Sequence, residues 1–284
     1  MFKSLLGIAP IEEADGSFKP SKLALKLSTS DVSDFENTPF AAYQGKKKKI
    51  LVIATEQKNM TMQNGKMFST GNHPVEALLP MLHLKNAGFE FEIATPTGAP
   101  VVFEMWAMPQ GDAAVVGLYE ELKPRFEKPR RLQDVVDGFS DEVSAYAAVF
   151  VPGGHGAMLG IPEDPNVGYI LRQAHENDLF TISLCHGPGS FLATALEDHP
   201  FLYGDYKMAV FPDSVDKMTP MIGYLPGHMP WRLGEKLTAL GATIVNTKGD
   251  KTCIVDRRLI TGASPLASND LGKLAAKTLL ENLA

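Results

Sequence analysis

One stretch, residues 180–195 with the sequence FTISLCHGPGSFLATA, constrains the fold of this chain more than any other. Phe180, Ile182 and Leu184 alternate with polar residues, which predicts a short strand. Cys185 follows at once, before a Gly-Pro pair and a helical pattern. A strand that ends on a nucleophile and turns tightly into a helix presents that side chain at the carboxyl end of a sheet. We therefore expect a cysteine elbow, with a thiol pKa lowered by the amides that open the next helix.

The thiol of Cys185 has two interpretations at this point. A free cysteine is often a small buried hydrophobe without a chemical role. Adjacent glycines in a second motif, residues 153–156, follow another apolar run and let backbone amides approach a ligand closely. This glycine turn favours a reactive thiol. Its spacing differs from G-x-G-x-x-G, so it does not indicate a dinucleotide site.

Strands and helices alternate along most of the chain, which indicates an α/β fold. We expect a flavodoxin-like parallel-sheet sandwich with helices on both faces and an inserted lid subdomain. Strands are predicted over residues 50–54, 89–95, 147–151, 180–184, 207–211 and 242–246, with one strand or a hairpin over residues 252–261. Helices are predicted over residues 74–87, 165–177, 231–241 and 265–283, and after the elbow; an amphipathic charged stretch lies near residues 113–131.

The chain divides on composition into an arm and a core. Residues 1–45 mix Pro, Ser, Asp and Phe without a sustained period, which indicates an irregular N-terminal arm lying on the body. Residues 46–284 form the predicted α/β core domain. Residues 96–138 interrupt the alternation with aromatic and methionine residues and a charged amphipathic stretch. We therefore expect these residues to form an inserted cap over one end of the sheet.

Composition argues against several classes of protein. With 284 residues, 44% of them hydrophobic, the chain can bury a large core. The net charge of −6 and the pI of about 5.7 disfavour a dedicated nucleic-acid binder, which needs a basic face. Cys185 and Cys253 cannot make a disulfide framework, which suggests a reducing compartment, and Cys253 is expected to pack within a strand. No segment has the length of a membrane span, so we expect a soluble, cytoplasmic protein without a membrane partner.

Glu76 is the second candidate for chemistry. It lies in the first turn of the helix that follows the first core strand, because Pro74 fits a first helical turn. Helix N-termini favour negative charge, so a carboxylate there has an ordinary structural explanation. Doubly wound sheets also collect their site residues at this place, and on spacing alone both explanations stay open.

Several motifs together resemble the PfpI-type superfamily, and within it the HchA group, described as heat-shock chaperones, glyoxalase III enzymes and protein deglycases. They are VPGGHG at residues 151–156, SLCHGP at 183–188, GNHPVE at 71–76 and AVFPD at 209–213, with FEMWAMP at 103–109 in the lid. The similarity spans roughly residue 40 to the end of the chain.

The resemblance implies roles for individual residues. It places the nucleophile on Cys185 and the acid that hydrogen-bonds it on Glu76. It places the triad histidine on His186 and the acidic partner of that histidine on Asp216. The oxyanion donors fall on the backbone amides of Gly154 and His186. Because sequence neighbours at a helix start usually point apart, direct activation of Cys185 by His186 requires unusual geometry.

The implied reaction needs no cofactor and no glutathione. A thiolate at Cys185 adds to the aldehyde of methylglyoxal, and Glu76 is a plausible shuttle for the proton that must move between adjacent carbons to give lactate. The same attack on a methylglyoxal adduct would restore a glycated side chain. Expected partners are therefore small 2-oxoaldehydes and glycated side chains, with unfolded proteins as further partners and a homodimer implied by the resemblance alone.

The sequence departs from the resembled group at a second site. Members of that group can hold a metal with two histidines and a glutamate, and the matching positions here are Lys85, Glu90 and Leu122. An ammonium group and an alkyl group cannot ligate zinc in that arrangement, so we expect no metal there. Surface or helix-capping positions, rather than ligation, are expected for His83, His175, His199 and His228.

Two other functions remain open on the sequence. A holdase chaperone would bind unfolded chains on an apolar surface around the lid and arm, independently of Cys185. A cysteine peptidase or amidotransferase would use Cys185, His186 and Asp216 together. A cap over the elbow disfavours the peptidase, because it would admit small aldehydes more readily than folded chains.

Overall fold

The computed structural model describes residues 7–283. In chain order its strands are β1 (Ile11–Glu12), β2 (Phe18–Lys19), β3 (Lys49–Ile53), β4 (Asn59–Thr61), β5 (Met67–Ser69), β6 (Glu90–Thr95), β7 (Arg130–Arg131), β8 (Tyr146–Val151), β9 (Phe180–Leu184), β10 (Lys207–Met208), β11 (Thr243–Ile244), β12 (Cys253–Asp256) and β13 (Leu259–Gly262). Its α-helices are α1 (Lys22–Ser28), α2 (Pro74–Asn86), α3 (Ala113–Glu127), α4 (Leu132–Glu142), α5 (Pro165–Glu176), α6 (Asp213–Met218), α7 (Leu233–Ala239) and α8 (Ser268–Leu283).

A seven-stranded sheet in the order β12-β13-β9-β8-β3-β6-β7 forms the centre of the molecule. Its strands pair in parallel except for the antiparallel hairpin of β12 and β13. Strands β8 and β9 are buried along their whole length, as expected for central strands covered on both faces; β8 is apolar throughout, whereas β9 carries the polar residues Thr181 and Ser183. The predicted largely parallel α/β sheet is confirmed.

Helices cover both faces of this sheet and form two separate cores. Along β8, Val149 and Val151 face the core that α4 and α5 complete, whereas Ala148 and Phe150 face the core of α2, α3 and α8. This alternation follows the two-residue period of a strand. The carboxyl ends of β3, β8 and β9 lie side by side between these layers and lead into the loops that carry the candidate site.

The N-terminal arm, described from residue 7 onward, lies on the body as expected but is not irregular. Strands β1 and β2 join β5 and β4 in a four-stranded sheet, so the arm pairs with a hairpin in the segment between β3 and α2. Helix α1 follows, with its N-cap Ser21 accepting a hydrogen bond from the Ala24 amide. Residues 1–6, the rest of the predicted arm, lie outside the described residues.

Residues 96–138 are attached to the core along most of their length. Helix α3 packs against α2 and β6, and β7 extends the central sheet beside β6. The predicted amphipathic stretch of residues 113–131 therefore forms a helix as far as Glu127 and then an edge strand over Arg130–Arg131. The division into an arm, a core domain and an inserted cap stays a prediction.

Two predicted elements are wrong in detail. Residues 207–211 form a strand only over Lys207–Met208, paired with β11 outside the central sheet. The amides of Val210 and Phe211 donate elsewhere, to Asn246 Oδ1 at 3.1 Å and to the Cys185 carbonyl at 2.9 Å, so the strand ladder stops. After the elbow the chain forms a 3-10 helix over Gly187–Ala195 instead of an α-helix, because Gly-Pro-Gly is a poor helix former.

The other predicted elements match in position, with bounds that agree to within three residues. Residues 252–261 form the hairpin of β12 and β13, and Cys253 is a half-buried residue of its first strand, as expected. Among residues 7–283, no helix combines the length and the apolar character that a membrane crossing requires.

Candidate active site

The predicted cysteine elbow is present at the end of β9. Cys185 has a φ of +57°, a left-handed conformation that a side-chain-bearing residue seldom adopts. Its backbone is held on both sides, because its amide donates to the Gly262 carbonyl and its carbonyl accepts from the Phe211 amide, each at 2.9 Å. The strained turn therefore fixes the thiol at the carboxyl end of the sheet.

The unusual turn brings His186 to its neighbour Cys185. The Cys185 Sγ lies 3.3 Å from His186 Nδ1, although residues adjacent in sequence were expected to point apart. The other ring nitrogen, Nε2, lies 2.8 Å from Asp216 Oδ2. If Nε2 donates to this carboxylate, Nδ1 is left as an acceptor facing the thiol. The arrangement has the order nucleophile, base and orienting acid.

Asp216 binds a second histidine that the sequence analysis did not single out. His155 Nε2 lies 3.0 Å from Asp216 Oδ1, and the rings of His155 and His186 stack with centroids 4.0 Å apart. Burial by itself would raise the pKa of the Asp216 carboxyl, but the charges and hydrogen bonds of the two histidines lower it below its usual range. Asp216 is thus an ionised, fully engaged carboxylate.

Glu76 meets Cys185 across Gly153. A side chain on Gly153 would place its Cβ 1.8 Å from Glu76 Oε2 and 2.8 Å from the Cys185 Cβ, so only glycine lets the two groups approach. Burial raises the pKa of Glu76 well above its ordinary value, and Glu104 raises it further, against the opposing effects of Cys185 and the Gly154 amide. Burial therefore favours the neutral acid form of Glu76 in the resting site.

The expected lowering of the Cys185 pKa is wrong for the resting site. Burial raises the pKa of the thiol, and the carboxyl groups of Glu76 and Asp216 raise it further. The Gly154 amide opposes this shift, but a 3-10 turn replaces the α-helix whose N-terminus was expected to stabilise a thiolate. The thiolate must therefore form by proton transfer when a substrate binds.

The Gly154 amide faces both Cys185 and Glu76, since it lowers the pKa of each. That position suits one donor to an oxyanion on the atom that Cys185 attacks. The second predicted donor, the backbone amide of His186, stays a prediction.

A cavity of about 290 Å³ opens over the thiol. Its walls include Leu27 and Ser28 of the arm, Thr219, Ile222 and Tyr224 from the loop after α6, and Pro265 and Leu266. Of the predicted cap, only Glu104 reaches the cavity. This volume lies at the low end for ligand pockets, which suits a small substrate.

The sequence analysis missed four titratable residues that line this cavity, namely His73, Glu104, His155 and Tyr224. His155 sits inside the glycine turn after β8, and His73 directly precedes the Pro74 helix, so both follow strand ends that carry the other site residues. Glu104 belongs to the aromatic segment interpreted as a local core. Tyr224 has no sequence signal, because its position depends on how the loop after α6 folds back.

The histidines set aside in the sequence are of two kinds. His175, His199 and His228 are exposed, as expected. His83 is fully buried, so its surface assignment is wrong. Its Nε2 lies 2.8 Å from Asn269 Oδ1 on α8, and Phe35 packs against its ring from the arm.

The positions that match the family's metal site do not fit a metal. Lys85 forms an ion pair with Glu121 of α3, Leu122 is buried in the apolar core, and Glu90 is exposed at the start of β6. Within residues 7–283, His155, His186 and Asp216 offer ligand atoms within 4.8 Å of one another. Their 2.8 and 3.0 Å contacts are hydrogen-bond distances, so the set forms a charge-stabilised triad through Asp216.

A parallel α/β sheet with a cysteine elbow, a buried glutamate beside the thiol and a histidine–aspartate pair behind it defines an α/β protein with a candidate cysteine nucleophile. Solved structures with this fold include the rapid encystment protein of Francisella tularensis, with a TM-score of 0.69 and 18% identity over 82% of this chain and 99% of that chain. Glyoxalase III from Candida albicans has a TM-score of 0.63 and 22% identity over 81% of this chain and 98% of that chain.

Sequence comparison is more specific. The protein/nucleic acid deglycase HchA of Escherichia coli O157:H7 is 48% identical over 266 residues, which cover 94% of this chain and 93% of the relative. The same protein from Escherichia coli strain UTI89 shows the same identity and coverage. No family model matches the chain. The chain belongs to the HchA family, as its motifs indicate.

Proposed function

We propose that this protein is a cofactor-independent glyoxalase and deglycase that converts methylglyoxal, or its adducts on protein or nucleotide groups, to lactate through a cysteine hemithioacetal. The observation that carries the proposal is the placement of the Cys185 thiol, 3.3 Å from His186 Nδ1 and beside a neutral Glu76, in a small cavity. The deglycase name of the 48% identical relatives supports this proposal.

The first step forms the hemithioacetal. Cys185 Sγ attacks the aldehyde carbon C1 while its proton passes to His186 Nδ1, and Asp216 stabilises the resulting imidazolium. The electron pair of the carbonyl moves to its oxygen, O1, which faces the Gly154 amide and takes a proton from Glu76. The raised pKa of Glu76 makes it a neutral donor before this step and a strong base after it.

The second step moves a proton between adjacent carbons. Glu76, now ionised, removes the proton on C1 to give an enediolate, with the negative charge on the C2 oxygen, and returns that proton to C2. The O1 proton then restores Glu76 as the thioester forms. Water cleaves the thioester to lactate, and His186 returns its proton to the sulfur of Cys185. On a glycated amine, the same attack at C1 breaks the carbon–nitrogen bond, and the leaving amine takes the proton from His186.

The test is lactate formation from methylglyoxal without glutathione or added metal. Wild type and Cys253→Ala, which removes the other cysteine, should make lactate at equal rates. Cys185→Ala should reduce lactate to the uncatalysed rate, and Glu76→Gln should lower turnover by at least about 100-fold. Absence of lactate from the folded wild type, or full turnover by Cys185→Ala, would refute the proposal.

A second candidate function is chaperone activity. Leu27, Met218, Met221 and Leu266 are large apolar side chains that are 65%, 62%, 69% and 56% exposed, and two of them border the cavity mouth. Exposed apolar groups in one region are suited to bind unfolded chains. Cys185→Ala should then suppress aggregation of a denatured client as wild type does, whereas Met218→Ser with Met221→Ser should suppress it less. Equal suppression by all three proteins would contradict a role for these residues.

A homodimer and a cytoplasmic location are predictions that rest on the resemblance and the composition. A peptidase is disfavoured by the same cavity, because about 290 Å³ leaves little room for an extended peptide.

A further inference from the structure

Glu104 is a second buried carboxyl group in the active-site cavity, and the steps above do not use it. It lies in the FEMWAMP segment, directly before a 3-10 helix over Met105–Ala107, and is 1% exposed. It lines the same cavity as Cys185 and Glu76. A buried carboxyl group without a structural partner of opposite charge is costly, so its presence calls for a reason.

The backbone around Glu104 is fixed to the main site loop through Asn72. The Glu104 amide donates to the Asn72 carbonyl at 3.0 Å, and Asn72 Nδ2 donates to the Val102 carbonyl at 2.8 Å. The Asn72 Oδ1 accepts from the Thr55 amide at the end of β3, at 3.2 Å. This connection positions Glu104 relative to the sheet edge with the precision that catalysis requires.

The two oxygens of the Glu104 carboxyl group differ. Oε1 accepts a hydrogen bond from Thr70 Oγ1 at 2.6 Å. Oε2 is buried and has no hydrogen-bond partner among residues 7–283. A buried oxygen without a hydrogen-bond partner is unfavourable, and a substrate group in the cavity that forms a hydrogen bond with it would remove that cost.

The titratable groups that face Glu104 are Glu76 on α2, His155 in the glycine turn and Tyr224 in the loop after α6. Burial raises the pKa of Glu104 to about 7, against the opposing effects of His155 and the Thr70 hydrogen bond. Burial is the main cause that raises the pKa values of Glu76 and Tyr224 well above their ordinary ranges, which favours the neutral form of each. Glu104 is thus the acid of this group that can exchange a proton near neutral pH.

We propose that Glu104 is a second catalytic residue, which protonates the C2 oxygen of the 2-oxoaldehyde while Cys185 holds C1. The inference rests on the proposed function. When Glu76 removes the C1 proton, the electrons move into the C1–C2 bond and onto the C2 oxygen, and that oxygen takes the proton of Glu104. The water that later hydrolyses the thioester gives a proton to Glu104, so the carboxyl group is restored and all protons are accounted for.

The roles of Glu76 and Glu104 differ in a measurable way. Thiol addition to C1 needs Cys185, His186 and Glu76 but no proton on the C2 oxygen. Removal of the Glu104 acid should therefore leave the covalent adduct on Cys185 and block the steps that follow it. Because the neutral form donates, turnover should fall as the pH rises through about 7.

The experiment compares wild type, Glu104→Gln, Thr70→Val and Glu90→Gln, an exposed glutamate outside the cavity. Lactate turnover is measured against pH, and the methylglyoxal adduct on Cys185 is measured by mass spectrometry after rapid quenching. Glu104→Gln should form the adduct, lose at least about 100-fold in turnover and lose the decline near pH 7. Thr70→Val should move this decline to higher pH, because it removes a hydrogen bond that lowers the Glu104 pKa. Glu90→Gln should behave as wild type.

The outcomes separate this inference from the proposed function. If wild type makes lactate and Glu104→Gln has the same turnover and pH profile as wild type, the role of Glu104 is overturned and the proposed function stands. Loss of the adduct together with lactate in a folded Glu104→Gln also overturns it, since Glu104 would then act before the proton shift. If Glu104→Gln does not fold, an unmoved pH profile in Thr70→Val overturns it instead. A wild type that makes no lactate removes both proposals.

Discussion

At the residue scale, Gly153 decides whether the acid and the nucleophile can meet. A methyl group there would lie 1.8 Å from Glu76 Oε2 and 2.7 Å from the Leu184 carbonyl oxygen, and the latter is backbone that cannot move aside. We expect Gly153→Ala to displace Glu76 from Cys185 and to lower lactate turnover by at least about 100-fold.

The matched control for that substitution is Gly117→Ala on the exposed side of α3, where an added Cβ meets nothing within 4 Å. It should keep full turnover and stabilise the helix by up to about 1 kcal/mol. Equal turnover of Gly153→Ala and Gly117→Ala would show that contact between Glu76 and Cys185 is not needed.

Local motifs made part of this site predictable and left part of it hidden. Cys185 stands on a strand-to-turn pattern that is readable in one short stretch, and Glu76 stands on a helix start. His155 becomes a site residue because the sheet order places the turn after β8 beside β9. Glu104 becomes one because hydrogen bonds of Asn72 hold its loop beside the same strand. The spacing along the chain carries no signal for such contacts.

At the element scale, helices α2 and α8 depend on a close approach at Gly272. An added Cβ there would lie 2.6 Å from His83 Cδ2 and 2.8 Å from the Pro80 Cα, which is backbone. We expect Gly272→Val to push the helices apart and to lower the free energy of unfolding by about 1–3 kcal/mol, measured by urea denaturation. Gly117→Ala serves again as the control, and an unchanged unfolding midpoint in Gly272→Val would contradict this packing.

Elements buried on both faces were predictable, and those held by side-chain contacts were not. The apolar runs of β3 and β8 identify central strands, because few other structures bury every residue. Residues 207–211 have the same apolar character, but Asn246 and the Cys185 carbonyl take the amides that a strand would need. A sequence pattern reports burial, and it does not report which group satisfies a backbone amide.

At the scale of the whole molecule, two buried glutamates, Glu76 and Glu104, and two buried histidines, His73 and His83, change the free energy of unfolding with pH in opposite directions. Burial raises the pKa values of Glu76 and Glu104 above 4.5, so their contribution to the free energy of unfolding is fully present below about pH 4.5 and is lost as the pH rises. Burial lowers the pKa values of His73 and His83, so their contribution is present above about 6.5 and is lost as the pH falls. Between pH 4.5 and 6.5, the pH dependence that the two glutamates give to the free energy of unfolding opposes the pH dependence that the two histidines give to it.

His73 offers a test of this balance, because burial lowers its pKa to about 3 from an ordinary 6.5. The unfolded chain binds a proton there between these values and the folded chain does not. Relative to His73→Gln, wild type should lose about 1.4 kcal/mol of unfolding free energy for each pH unit from about 6.5 down to about 3. Parallel curves of unfolding free energy against pH for the two proteins would show that His73 titrates normally in the folded state.

The central claim is that chemistry passes through a covalent adduct on Cys185. Its most direct measurement is the mass of the protein, quenched within milliseconds to seconds of mixing with methylglyoxal, for wild type, Glu76→Gln and Cys185→Ala. In wild type, we predict a transient adduct on Cys185 that appears before lactate. Cys185→Ala should form neither the adduct nor lactate. In Glu76→Gln, any adduct that forms should decay slowly. Lactate released by wild type without an adduct on Cys185 at any time would contradict the account.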